Sequence, residues 1–161
     1  NTVNYSSKSG WFMDLVSPVS GAEGERVISP SLLRGERLIF TTVIPSGDAC
    51  AAGGTSWLME LDAVSGGRLY ITPFDINADG LFTSADLVSI LDTNNDGIID
   101  GSDDQLVVSG KKSTIGIIKT PSVISAGTKE YKYTSGSSGG LEATTESAGL
   151  NSGRQSWRQL R

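Results

Sequence analysis

The sequence predicts a mainly β architecture of repeated antiparallel units interrupted by one acidic insert, and three observations predict it. The 161 residues include 20 Gly and only 37% hydrophobic residues, which fall in short alternating runs. Such a composition suits strands and turns better than helices. The stretch Ser56-Trp57-Leu58-Met59-Glu60-Leu61 repeats Gly10-Trp11-Phe12-Met13-Asp14-Leu15, matching Trp, Met, acid and Leu in order at an offset of 46 residues. Finally, residues 75–104 hold eight Asp and no Lys or Arg, which leaves ten acids against thirteen bases elsewhere, a net of +3. The overall charge of −5 is therefore a local property. It points to cation capture at one place, and no Lys/Arg block of the kind that follows nucleic-acid phosphates is present.

Taken in order, Asn1 to Ser9 form a polar leader containing the sequon Asn4-Tyr5-Ser6. In residues 10–15 the alternation of Trp11, Met13 and Leu15 predicts a strand with those three side chains on one face. Ser17 to Gly24 reads as a turn, and Arg26 to Ser29 as a short strand closed by Pro30. Arg34-Gly35-Glu36 is a hairpin turn. The β-branched run from Arg37 to Ile44 predicts a strand buried on both faces, ended by Pro45.

Cys50 is the single cysteine and the chain has no His, so His-assisted thiol catalysis, His triads and most zinc chemistry are excluded. Cys50 is expected to be a buried thiol or to pair with a partner outside this segment. After Ser56 to Leu61, Val64-Ser65-Gly66 echoes Val19-Ser20-Gly21 and Arg68-Leu69 echoes Arg26-Val27. A period in the forties built of short strands and Gly turns is that of a β-propeller blade. Trp11 and Trp57 are expected to pack, each needing one partner for its N–H. The expected division is propeller blade repeats over 1–74, an insert over 75–104 and further propeller strands over 105–161.

The insert carries two copies of a calcium-loop pattern, in which alternate side chains and one backbone carbonyl converge on a hard cation while Gly permits the sharp turn. In loop 1, Asp75, Asn77 and Asp79 stand at positions 1, 3 and 5, Gly80 at 6, the Leu81 carbonyl at 7 and Asp86 at 12. In loop 2 the equivalents are Asp92, Asn94, Asp96, Gly97, the Ile98 carbonyl and Asp103, with Asp100 added at position 9. Asx turns alone would account for one such match, but two in thirty residues favour Ca2+. Charge count predicts that loop 2, with four carboxylates against three, binds the ion more tightly. Position 12 is Asp, a shorter arm than the usual Glu, which predicts a structural site and not a switch. Between the loops, residues 83–91 predict a short helix capped by Thr83 or Ser84, completing an EF-hand- or dockerin-like loop-helix-loop.

Beyond the insert, residues 105–108 and 116–119 read as strand-like. Residues 129–134 alternate charged and aromatic side chains as an exposed strand does. Residues 135–140 read as a turn, 142–146 as an edge strand and 155–160 as a closing strand. No apolar run is long enough for a membrane span and no signal-peptide pattern opens the chain, so an exported protein would be represented here by its mature segment. No dinucleotide, phosphate-loop or nucleophile-elbow motif occurs.

Taken together, Gly10-Trp11-Phe12-Met13-Asp14-Leu15, Gly24-Glu25-Arg26-Val27, Ile39 to Pro45, Cys50-Ala51-Ala52-Gly53-Gly54, Ser56 to Asp62 and Gly153-Arg154-Gln155-Ser156-Trp157-Arg158-Gln159 resemble the C-terminal end of the PilY family, type IV pilus tip-associated adhesin and assembly proteins. The resemblance implies a modified β-propeller with a calcium loop, exposed on the fimbrium or cell surface and acting without catalysis in pilus biogenesis, twitching motility and adhesion. The partners it implies are the upstream part of the same protein or its cleaved chain, type IV pilins, and a host or surface receptor. The family's calcium ligands would map onto one of the two loops. Two such loops exceed the single one associated with the family, and the length is short for a whole propeller, so a fragment with open sheet edges is expected. The alternative is a calcium-bearing quinoprotein-like propeller enzyme, suggested by the Asp62 to Gly67 corner.

Overall fold

The computed structural model describes residues 3–17, 19–48 and 53–149. Nine β-strands and a single 3-10 turn make up its regular structure. The strands are β1 (Arg26–Val27), β2 (Leu32–Arg34), β3 (Arg37–Pro45), β4 (Gly54–Thr55), β5 (Trp57–Asp62), β6 (Gly110–Lys112), β7 (Ser122–Ala126), β8 (Lys129–Ser135) and β9 (Leu141–Ser147). The mainly β, antiparallel character follows the composition, and the two sheets of the described residues are open.

A six-stranded sheet is organised on β3, flanked by β1 and β5, with β2 and β4 also paired to β3 and β6 added outside β5. β3 is the expected β-branched run, and all but one of the residues from Arg37 to Val43 are buried. Branched side chains restrict χ1 and fill a pleated surface well, so this run makes the central strand. Gly35, with φ of +60°, makes the β2–β3 hairpin turn that sets Arg34 opposite Arg37. β5 pairs with β3 in the register Phe40 to Met59. The second sheet is the simple meander β7-β8-β9, whose β8–β9 pairing runs from Lys129 opposite Ser147 to Ser135 opposite Leu141.

A small apolar core of Ile39, Leu58, Phe74 and Ile118 lies beneath Leu32, Val108 and Ile115. Residues 115–118 stitch the sheets together. The Ile118 N–H donates to Ser56 Oγ at 3.1 Å, while Ser137 N donates to the Ile117 carbonyl at 2.9 Å. Gly136 is required at this crossing, because a Cβ there would lie 2.1 Å from the Ile115 carbonyl oxygen.

Several sequence expectations are corrected by the structure. Residues 10–15 form no strand, although Trp11, Met13 and Leu15 do face together into a cleft against Val27, Leu38 and Phe40. The alternation is real, but a strand also needs a backbone partner. Trp11 instead lies over the 62–67 turn, donating Nε1–H to the Ala63 carbonyl at 3.1 Å and covering Gly66. The two Trp-Met-acid-Leu copies therefore take different conformations, since Trp57 opens β5.

The expected helix over 83–91 is reduced to the 3-10 turn Ser84–Asp86. One turn fixes several residues for a single hydrogen bond, and Leu87 already leaves it in extended conformation. Val88 then exchanges backbone hydrogen bonds with Leu106 at 3.0 and 2.9 Å, a better bargain for the chain than continuing the helix. The 105–108 and 116–119 stretches are isolated bridges at Leu106 and Ile118, and the strand after the insert is β6. β8 is not an exposed strand, because Glu130, Lys132 and Thr134 face inward. Cys50 and the expected strand over 155–160 lie outside the described residues.

Candidate metal centre and the buried ion network

The insert lies between β5 and β6 in the chain; its entry, residues 73–75, pairs with β9 of the second sheet, and its exit leads to β6 of the six-stranded sheet. Its two loops fold with one hydrogen-bond pattern. At position 1, Asp75 Oδ2 accepts from Gly80 N and Asp92 Oδ2 from Gly97 N, both at 2.9 Å. At position 3, the Asn77 and Asn94 side-chain oxygens accept from Asp79 N and Asp96 N, again at 2.9 Å. At position 5, Asp79 and Asp96 accept from Leu81 N at 2.7 Å and Ile98 N at 2.8 Å. At position 12, Asp86 accepts from Ile76 N, Asn77 N and Thr83 N, as Asp103 does from Thr93 N, Asn94 N and Asp100 N.

Backbone conformation repeats with the hydrogen bonds. Positions 4 and 6 are left-handed in both loops: Ala78 and Gly80 at φ of +60° and +75°, Asn95 and Gly97 at +62° and +86°. Gly and Asn accept that region readily, while Ala78 accepts it at a cost. Leu81 and Ile98 point their side chains to solvent, so position 7 offers only its carbonyl. The Asx-turn geometry of each loop thus arises from local residue chemistry.

In their surroundings the loops differ. Asp86 is fully buried in loop 1, and Asp75 Oδ1 is a buried oxygen with no hydrogen-bond partner. A buried carboxylate oxygen left unpaired is costly, and its position at the first ligand site fits an oxygen-seeking cation. In loop 2 only Asp103 is buried. Its carboxyl is held below the ordinary value by the Asp100 N–H and then by Thr93 and Asn94, working against burial. Asp100, at position 9, is lowered by the Ser102 N–H and hydroxyl, to which it turns at 2.8 and 2.7 Å. Among the described residues no three His, Cys, Asp or Glu side chains are gathered as a finished metal cage. The carboxylates face their own loop's N–H groups, and the donor set is a mixture of carboxylate, Asn oxygen and carbonyl.

A second polar constellation escaped the sequence reading. Where the two sheets face each other, three cations and three carboxylates interlock. Arg37 bridges Glu60 at 3.0 Å and Glu130 at 3.1 Å, and Arg34 reaches Glu130 at 2.6 Å. Lys132 lies between Glu60 and Glu146, in contact with both. Glu60, Lys132 and Glu146 are fully buried. Burial pushes Glu130 up, but Arg34, Arg37 and Lys132 outweigh it and hold its carboxyl below the usual range. Burial pulls the Lys132 ammonium down, opposed by Glu60. The only signal in the sequence was the alternation of residues 129–134, which does not say which face turns inward.

No protein-family model matches the chain. A type IV pilus biogenesis factor PilY1 homolog of Xylella fastidiosa (strain Temecula1) is 34% identical over 154 residues, covering 94% of this chain and 11% of the relative. PilY1 of Pseudomonas aeruginosa PAO1 is 28% identical over 162 residues, covering 99% of this chain and 12% of the relative. The crystal structure of the P. aeruginosa PilY1 C-terminal domain matches with a TM-score of 0.58 at 20% identity, over 81% of this chain and 22% of that one. Sheet arrangement and relatives together define a β module of the kind found at the C-terminus of type IV pilus biogenesis factors. The chain belongs to the PilY family, in the region of its C-terminal domain. It spans about a tenth of the length of these relatives, at 11% and 12%.

Proposed function

We propose that this chain is a calcium-binding C-terminal module of a type IV pilus biogenesis protein, displayed on the fimbrium or cell surface and acting in pilus assembly, twitching motility and adhesion. Kinship with PilY1 supports the pilus role, and the relatives bear no enzyme name, so the reading is non-catalytic. The single observation that carries the calcium part is the orphaned Asp75 Oδ1, buried at the first ligand position of a loop whose left-handed positions 4 and 6 recur in its neighbour. Asp75, Asn77, Asp79, the Leu81 carbonyl and Asp86 would hold the ion in loop 1. Asp92, Asn94, Asp96, the Ile98 carbonyl, Asp100 and Asp103 would hold it in loop 2. The ion would supply positive charge that offsets the mutual repulsion of these carboxylates, so uptake and local order are linked. Charge count favours loop 2, but burial strengthens electrostatic attraction, and we assign the tighter site to loop 1. Type IV pilins, the remainder of the longer protein and a surface receptor are the partners this reading implies.

Calorimetric titration of chelator-treated protein with calcium tests it, with Asp75→Asn and Asp92→Asn variants separating the loops. At a calcium concentration of about one hundred times Kd, binding adds about 2.7 kcal/mol of stability. For a domain of this size that is a rise of roughly 5–11 °C in Tm. An unchanged melting temperature together with no binding heat would reject the calcium reading. In cells, Asp75→Asn is expected to impair twitching, measured as colony spreading, while leaving the protein's abundance unchanged.

A further inference from the structure

The two loops share a hydrogen-bond pattern but not a mechanical setting. The chain enters loop 1 along the outer edge of β9: Ser147 N donates to the Pro73 carbonyl at 2.8 Å, Phe74 bridges Glu146, and Asp75 N donates to the Thr145 carbonyl at 3.3 Å. Ligand position 1 is thus tied by its own N–H to the strand that carries Glu146. The Glu146 carboxylate is buried against Lys132, and Arg37 Nη1 donates to the Ser147 carbonyl at 2.9 Å. From the facing strand, Lys129 sets its ammonium beside Gly80, so close that a Cβ on Gly80 would lie 2.8 Å away. Phe74, immediately before the first ligand, is fully buried in the core. Loop 2 has none of this. Among the described residues, the hydrogen bonds of 92–104 all return to the same segment.

We propose that loop 1 alone is coupled to the sheets, and that a cation held there sets how tightly β9 is held against the Lys132-centred seam between them; loop 2 binds without reaching the seam. This rests on the calcium reading above. An ion drawn to Asp75 Oδ1 and the buried Asp86 orders the loop, and the order is passed through the Pro73–Asp75 backbone bonds to β9, the edge strand that closes the ion network. A ligand shifts a structural equilibrium only by its differential affinity for the two states. Here the differing state is a seam in which Pro73–Asp75 is fastened to β9 or released from it. Because coupling is reciprocal, loosening the seam must weaken calcium binding at loop 1 and leave loop 2 untouched.

The test is amide hydrogen exchange across β8 and β9 on the whole chain with and without calcium, paired with calorimetry on the same samples. Calcium is expected to slow exchange at Ser147 and at residue 75, whose N–H groups donate to the Pro73 and Thr145 carbonyls, by about tenfold in wild type and in Asp92→Asn, and not in Asp75→Asn. Asp79→Asn, at an exposed ligand position, serves should Asp75→Asn fail to fold. Reciprocally, Glu146→Gln is expected to weaken the loop 1 affinity at least about fivefold, the lower end of usual coupling, with loop 2 unchanged. Calcium that binds loop 1 without altering exchange in β9, or protection lost equally in Asp92→Asn, overturns the inference and leaves the calcium reading standing. Absence of binding to the wild-type chain removes both.

Discussion

Lys132 offers the sharpest test of how this molecule is held together. Its ammonium is fully buried and contacts Glu60 and Glu146. Replacing it with Met keeps much of the volume and removes the charge. Glu60 retains Arg37 at 3.0 Å, but Glu146 loses the cation it contacts, and its Oε1 already lacks a hydrogen-bond partner. Removing one partner of a buried pair costs about 3–5 kcal/mol, because the remaining charge stays desolvated. At roughly 2–4 °C per kcal/mol, Lys132→Met should melt about 6–20 °C below wild type. Urea unfolding followed by tryptophan fluorescence and circular dichroism gives the free energy directly. The double variant Lys132→Met/Glu146→Leu should recover at least about 2 kcal/mol of the loss, since a buried pair can often be replaced by apolar groups at little cost. A single variant within about 1 kcal/mol of wild type, or a double variant no more stable than the single, would refute the assignment of the seam to this network.

Two further outcomes follow from the same geometry. Glu130 is held below its ordinary 4.5 in the folded chain, so its contribution is present above that pH and is lost as pH falls through the folded value. The urea midpoint should therefore drop in acid, and Glu130→Gln should flatten that limb while lowering stability at pH 7. Gly66 has φ of +67°, and a Cβ there would stand 2.3 Å from Trp11 Cδ2. Gly66→Ala should displace the Trp11 ring, destabilise by about 1–3 kcal/mol and red-shift tryptophan emission; an unshifted spectrum would contradict the packing of Trp11 on this turn.

What could be read from the chain alone was whatever depends on neighbours in sequence. The ligand spacing of Asp75 to Asp86 and Asp92 to Asp103 fixes its own Asx turns and left-handed positions, because the carboxylate hydrogen bonds that shape each loop are made within about a dozen residues. The strand of residues 37–45 was equally legible, since a run of branched side chains allows little else. The residues 10–15 show where such reading stops: their alternation puts Trp11, Met13 and Leu15 on one side, but a strand exists only if a distant backbone pairs with it, and none among the described residues does. Residues 83–91 have helical periodicity, yet Leu106, remote in sequence, offers Val88 the bonds that end the turn.

The face of β8 was beyond any local pattern. Tyrosines and charged residues alternate there, and hydrophobicity alone turns the charges outward. The tertiary structure turns Glu130 and Lys132 inward because Arg37, Glu60 and Glu146, brought from three other strands, satisfy them as a set. A charge is expensive to bury alone and tolerable to bury with its complement. The sequence by itself determined the two loops and the central strand; only the meeting of the sheets decided which charges lie inside and which of the two loops is fastened to them.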